Sequence, residues 1–213
     1  MKVVALIPAR YGSTRFPGKP LALLRGKPMI QHVYECTRLV HGLAQVMVAT
    51  DDERIAQTVR GFGGDVIMTR SDHLTGTDRL AEAAQRLDAE VIVNVQGDLP
   101  FFPPAMVEDA VAALSRSPVA AMSTVKTPIH ELAEWRNPNV VKVVTDRNGY
   151  ALYFSRSPIP FPRSPESGRS PGIPAYWSLR VPQGLLAHLH SPPCDPLGGS
   201  GKTRTVARPG VGI

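Results

Sequence analysis

Cysteine is almost missing from this chain of 213 residues: Cys36 and Cys194 are all it has. Two isolated thiols make neither a disulfide framework nor the ligand spacing of a zinc site, so redox and zinc chemistry are not expected. Long apolar runs are missing as well. Hydrophobic residues make up 43% of the chain, yet no stretch approaches the roughly eighteen residues that a membrane-crossing helix needs. Met1 leads straight into a short strand-like segment without the layout of a secretory leader, which predicts a soluble, cytoplasmic protein with no membrane insertion. No internal repeat is present. The length suits one α/β catalytic domain with a smaller appendage.

Positive charge is plentiful, and its position decides what it means. The net charge is +6, but from Arg163 onward six cations (Arg163, Arg169, Arg180, Lys202, Arg204, Arg208) face only Glu166 and Asp195. Residues 1–162 are left with +2. Their cations concentrate in one short loop near the N-terminus, which fits a small polyanion better than a nucleic-acid backbone.

The pattern along the chain alternates strand and helix. Val3 to Pro8 is a β-branched apolar run that ends in the polar, Gly/Pro-rich stretch Ala9 to Pro20. Helical spacing over Pro28 to Val40 precedes a strand at Gln45 to Thr50. Asp51 or Asp52 can cap a helix over Arg54 to Phe62, closed by Gly63-Gly64, and Asp65 to Met68 reads as the next strand. Thr77 to Leu87 is a helix, Val91 to Val95 a strand, and Pro103 to Ser115 a helix. Such alternation predicts right-handed crossovers and a doubly wound, mostly parallel sheet. Beyond Ala120 the segments lengthen: Ala120 to Thr127, Val140 to Thr145 and Tyr150 to Phe154, with a hairpin signal at Asn148-Gly149. These predict a small antiparallel second lobe. After Phe161 periodicity is lost.

Three constellations carry chemistry. Directly after the first strand, Arg10, Arg15 and Lys19 are interleaved with Gly12, Ser13, Thr14 and Gly18, which describes a triphosphate cradle at the strand ends of a doubly wound sheet. It is neither a dinucleotide fingerprint nor a Walker A loop. Second, Asn94-Val-Gln96-Gly97-Asp98 ends an apolar strand, so Asp98 emerges at the same sheet edge. One carboxylate beside a triphosphate is how magnesium is usually held, because the ion keeps waters and takes phosphate oxygens. Third, Ser71 to Leu80 is a polar loop entering a helix with Thr77 as a plausible N-cap. Asp78 and Arg79 read equally well as helix-start charges or as nucleotide contacts.

Together, Ile7-Pro-Ala-Arg-Tyr-Gly-Ser-Thr-Arg-Phe-Pro-Gly-Lys-Pro-Leu21, Ala49-Thr-Asp-Asp-Glu-Arg-Ile55, Thr75-Gly-Thr-Asp-Arg-Leu-Ala-Glu82, Val93-Asn-Val-Gln-Gly-Asp98, Asn137-Pro-Asn-Val-Val-Lys142 and Phe154-Ser-Arg-Ser-Pro-Ile-Pro160 resemble the 3-deoxy-manno-octulosonate cytidylyltransferases over about residues 1–161. The resemblance implies a nucleotidyltransferase fold of the glycosyltransferase-A-like kind. It also implies transfer of CMP from CTP to the sugar acid, with loss of pyrophosphate, for lipopolysaccharide biosynthesis. By resemblance, Arg10, Arg15 and Lys19 hold the CTP phosphates, Asp98 binds magnesium, Gln96 and Arg156 contact the sugar acid, and the base is read around Ala9, Thr50 and Ser71 to Gly76, with Ser13 in the phosphate loop. Arg10, Lys19 and Asp98 form the catalytic set, and a homodimer is implied. Leu99 departs from the family, which commonly has Glu there. Two rival readings are a related nucleotidyltransferase acting on sialic acid or a sugar 1-phosphate, and a nucleotide-binding protein inactive through its altered C-terminus.

The expected organisation is a nucleotide-binding core over 1–118, a mixed-sheet extension opening the sugar-acid and dimerisation lobe over 119–162, and an aberrant tail over 163–213. Between Arg163 and Pro174 the family's pattern stops. Read one nucleotide later, codons compatible with Pro174 to Gln183 can encode L-H-T-G-L-Y-A-Y-R, and those for Lys202 to Ile213 can encode R-P-E-Q-L-R-A-L-E-S-G-Y. Both match strand and helix segments of the family in one shifted frame, which predicts a single frameshift upstream of Pro174, in the gene or in its sequencing. The shift also explains the Pro, Gly and Arg enrichment of the tail, which composition alone would assign to disorder. Gly198-Gly-Ser-Gly-Lys-Thr203 imitates a Walker A loop, but Pro196 stands where its first glycine belongs.

Overall fold

The computed structural model describes residues 1–12, 16–117, 119–160, 179–181, 185–189 and 205–209. Along the chain run β1 (Val3–Ala9), a 3-10 turn (Lys19–Leu21), β2 (Leu23–Leu24), β3 (Lys27–Pro28), α1 (Met29–Arg38), β4 (Leu43–Thr50), α2 (Glu53–Gly61), β5 (Asp65–Met68), α3 (Gly76–Ala84), β6 (Val91–Val95) and α4 (Ala105–Ser115). They are followed by β7 (Met122–Pro128), α5 (Leu132–Arg136), β8 (Val141–Thr145), β9 (Tyr150–Ser155), β10 (Leu179–Val181), β11 (Leu185–Leu189) and β12 (Thr205–Pro209). The chain forms two compact units, residues 1–108 with 184–200 and residues 109–183 with 201–213.

In the first unit the strand order is β11-β6-β1-β4-β5. β6, β1, β4 and β5 are parallel, and β11 is antiparallel to β6. All seven residues of β1 are buried, as a strand covered on both faces requires. Alternation assigns its side chains to two layers. Val4 and Leu6 join Ala49, Ile92 and the Leu80, Ala83 and Ala84 side of α3 in one cluster. On β1's other face, Ile7 and the Ile30 side chain of α1 converge beside Gly97. The chain passes from β1 to β4 and β5 on one side and then returns to β6 on the other. The β1/β6 junction is therefore the topological switch point, where ligands of open α/β sheets bind.

The second unit pairs β8 with β9 and β10 in antiparallel fashion, β12 with β9, and both β10 and β12 with β7. At the expected Asn148-Gly149 hairpin only Gly149 has positive φ, 84°. The turn is organised instead by Asp146, whose carboxylate accepts the Asn148 and Tyr150 N–H groups at 2.9 and 2.8 Å. A register shift between Val144 and Thr145 follows. The tightest two-residue hairpin is elsewhere, at Arg25-Gly26 between β2 and β3, where φ is 50° and 80°. A helix at Leu132–Arg136 and three strands beyond Phe161 also have no counterpart in the sequence pattern. The imitation Walker loop at 196–203 lies outside the described residues.

Candidate active site

The expected cradle opens where β1 ends. Ala9 is buried at the last strand position, and Arg10 is exposed just beyond it. Ser13 and Arg15 lie outside the described residues. The loop returns at Gly18, whose N–H donates to the Tyr11 carbonyl at 2.9 Å. Gly18 has φ 71°, and a Cβ there would stand 3.0 Å from the Tyr11 ring, so both backbone and space call for glycine. Arg54 also stacks on Tyr11, with Cζ 3.4 Å from the ring centroid. Arg54 in turn chelates Asp52 and holds that carboxyl below the usual carboxylate range, chiefly through the side-chain hydrogen bond.

Asp98 follows β6 across the switch point. Lys19 donates to its Oδ2 at 2.9 Å. These side chains are 38% and 57% exposed, and a pair so wet contributes at most about 1 kcal/mol to folding. At that exposure both charges can exchange partners with a ligand. Gly97 is fixed by close packing: a Cβ would meet the Pro8 carbonyl oxygen at 2.8 Å. The close neighbour is thus the end of β1 itself. Gln96 donates to Asn94 Oδ1 at 3.1 Å and is half-buried.

The remaining expected contacts of this unit ring the same strand ends. Thr50 is paired in register with Ala9 and with Met68. Its buried hydroxyl accepts the Asp52 N–H at 3.2 Å, and its carbonyl accepts the Thr69 N–H at 2.9 Å. Gly76 starts α3 with its Cα beside the Pro8 ring, a Cβ there being 3.5 Å from it. Ser71 is exposed in the loop between. The cap of α3 is Thr75, two residues before the expected Thr77, and Asp78 completes a reciprocal capping box. Arg79 is not a surface charge: it is 2% exposed, with Nη2 3.1 Å from Asp51. Glu82 accepts the Arg70 N–H and His73 Nε2, and its carboxyl is held below the usual range, first by the His73 bond. The Asp51–Arg79 and His73–Glu82 pairs escape sequence reasoning because both join segments separated by a strand or a loop.

Arg156 belongs to the second unit, one residue past β9. Its Nη1 donates to the Pro138 carbonyl at 2.9 Å. Beneath it Lys142 is 0% exposed, and its ammonium donates to the carbonyls of Asn137, Val140 and Arg156. Burial pushes this ammonium below the usual lysine range, and the Arg156 charge adds to the effect. Among the described residues no group of three or more His, Cys, Asp or Glu could hold a metal ion, and no helix is long and apolar enough to cross a membrane.

Comparison with known proteins gives consistent results. Residues 4–179 match the family described as cytidylyltransferase. The 3-deoxy-manno-octulosonate cytidylyltransferase of Syntrophotalea carbinolica is 59% identical over 188 residues, 88% of this chain and 75% of the relative. That of Geobacter sulfurreducens is 62% identical over 161 residues, 76% of this chain, and the match spans 64% of the relative's length. Among solved structures, CMP:2-keto-3-deoxy-manno-octonic acid synthetase complexed with CTP superposes with a TM-score of 0.80 at 46% identity, covering 89% of this chain and 74% of that one. The inositol-1-phosphate CTP transferase of T. maritima shares the fold, with a TM-score of 0.57 at 12% identity.

Proposed function

The chain belongs to the cytidylyltransferase family, and from that premise we propose that it transfers CMP from CTP to 3-deoxy-manno-octulosonate and releases pyrophosphate. The reading is carried by the Lys19–Asp98 contact of 2.9 Å at the β1/β6 switch point. The anomeric hydroxyl of the sugar acid attacks the α-phosphorus, a new O–P bond forms, and the bond to the pyrophosphate oxygen breaks as the hydroxyl proton leaves. No covalent enzyme intermediate is needed, so the protein's work is positioning and charge neutralisation. Arg10, Arg15 and Lys19 hold the phosphates. Ser13, Ala9, Thr50 and the Ser71 to Gly76 loop line the nucleotide, and Gln96 and Arg156 take the sugar acid.

A divalent ion fits this site only in one way. Asp98 is an accessible carboxylate, and no cluster of three or more His, Cys, Asp or Glu forms among the described residues. Such a donor set suits magnesium, which retains water and takes phosphate oxygens for its other ligands. When bound it neutralises charge on those oxygens. With Asp98 holding the ion, Lys19, now 2.9 Å from Asp98 Oδ2, would be the cation to serve the phosphates.

The test is pyrophosphate release from CTP with 3-deoxy-manno-octulosonate. D98N is expected to lower the rate at least about 100-fold. Turnover of UTP or dTTP with a sugar 1-phosphate, or of CTP with sialic acid in preference, would overturn the substrate assignment. The protein is proposed to act in the cytoplasm, in lipopolysaccharide biosynthesis, and as a homodimer.

For the segment from Arg163 we propose a frameshift upstream of Pro174, with residues 1–118 as nucleotide core and 119–162 as the start of the sugar-acid lobe. The match to the Geobacter sulfurreducens relative runs for 161 residues, that to the Syntrophotalea carbinolica relative for 188, and the family match reaches residue 179. The nucleotide sequence across codons 163 to 174 tests this directly, and an intact frame there ends the idea.

A further inference from the structure

Asp51 and Arg79 are a largely buried charge pair beside the strand ends that the proposed chemistry leaves unused. Their side chains are 19% and 3% exposed, so unlike Lys19 and Asp98 they are not available to a ligand. Arg79 reaches three acceptors at once. Nη2 lies 3.1 Å from Asp51 Oδ2, and Nη1 donates to Thr69 Oγ1 and, at 3.3 Å, to the Arg70 carbonyl. One guanidinium thus ties the turn leaving β4, the turn leaving β5 and the first turn of α3. The Thr69 N–H to Thr50 carbonyl bond of 2.9 Å draws the same turns together. On the outer side Glu82 anchors the loop at Arg70 and His73.

We infer that Arg79, oriented by Asp51, is the positioning residue that fixes the 69–76 loop and thereby sets the preference of the nucleotide site for cytosine over uracil. The inference rests on the reading above that Thr50 and Ser71 to Gly76 face the base. The two pyrimidines have nearly the same size and shape and differ at N3 and the exocyclic group on C4, where an acceptor and a donor change places. A loop can discriminate between them only if its own donors and acceptors cannot rotate to suit the wrong base, since rejection comes from polar groups left unpaired. A planar fork bound to three acceptors from two turns removes that freedom. A lysine would keep the charge but lose the fork.

The test is equilibrium binding of CTP and of UTP, by calorimetry at fixed ionic strength, to the intact chain and to R79K and D51N. Any loss of folded protein weakens both nucleotides by the same factor, so their affinity ratio is blind to a merely structural defect. The parent chain is expected to favour CTP, R79K to lose about tenfold or more of that ratio, and D51N to lose part of it. If both variants melt earlier yet keep the parental ratio, the pair is only structural and the inference fails. If R79K does not fold, D51N decides alone: an unchanged ratio overturns the proposal and a reduced one supports it. A parent chain that binds CTP and UTP equally overturns the base-reading assignment itself, a different result from a preference that the variants leave intact.

Discussion

Two buried contacts show how much of the site depends on single residues. At Gly97 any side chain meets the Pro8 carbonyl oxygen, 2.8 Å from the Cβ position, and backbone atoms cannot swing aside as a flexible side chain can. G97A is expected to lose about 1–3 kcal/mol of stability in denaturant titration, as overpacked positions do, and to weaken CTP-dependent turnover by moving Asp98. Lys142 is the opposite case, a buried cation wholly occupied by three carbonyls. K142M removes an ammonium that burial already disfavours, but it strands those acceptors. The loss should outweigh the gain, with net destabilisation of about 2–3 kcal/mol by urea unfolding. Neither role is visible in the sequence, where Gly97 is one residue of a strand-end motif and Lys142 one more strand residue.

The loop and helix over 69–84 act as one element. Its start was legible from composition, since a Ser/Thr-rich run before an apolar period signals a cap, yet the capping residue is Thr75 because Asp78 closes the box with it. T75A is therefore expected to cost about 1 kcal/mol, read from the thermal midpoint. The outer anchor makes a pH prediction. The Glu82 carboxyl lies below its ordinary 4.5 in the folded chain, with His73 and Arg86 beside it and the Arg70 N–H bonded to it. A depressed carboxyl contributes stability that is present above 4.5 and is lost as pH falls through the folded value. E82Q should accordingly melt below the parent at neutral pH, and the gap should narrow as the pH falls below 4.5 and through the folded value. Elsewhere β1, β4, β6 and helices α1 and α2 were predicted nearly to the residue, because continuous apolar runs and 3.6-residue periods are strong local signals. The Arg25-Gly26 hairpin and α5 were not, since an Arg with positive φ and a five-residue helix leave almost none.

At the level of the whole molecule the order of alternating elements was sufficient to predict a parallel sheet and to set the cation loop and Asp98 at neighbouring strand ends. What local pattern could not supply were the long-range partners: the Arg79–Asp51 pair, the Arg54–Tyr11 stack, and strands β10 to β12, which pair through backbone with strands far away in sequence. Under the proposed frameshift, restoring the frame upstream of Pro174 is expected to raise kcat/KM for the sugar acid at least about tenfold while CTP affinity in calorimetry stays within about threefold, because the cations and Asp98 lie before that point. Sedimentation of the frame-restored chain should give the mass of a dimer.

The contact between Gly97 and Pro8 also bears on how such a pocket can be redesigned. In the site proposed above, the floor is main chain against main chain at Gly97 and Pro8, and selectivity is assigned to groups around the rim. Mutation can retune the rim one position at a time without lifting the floor, so new acceptor or base preferences should be sought there by directed evolution, with the two glycine and proline positions held constant.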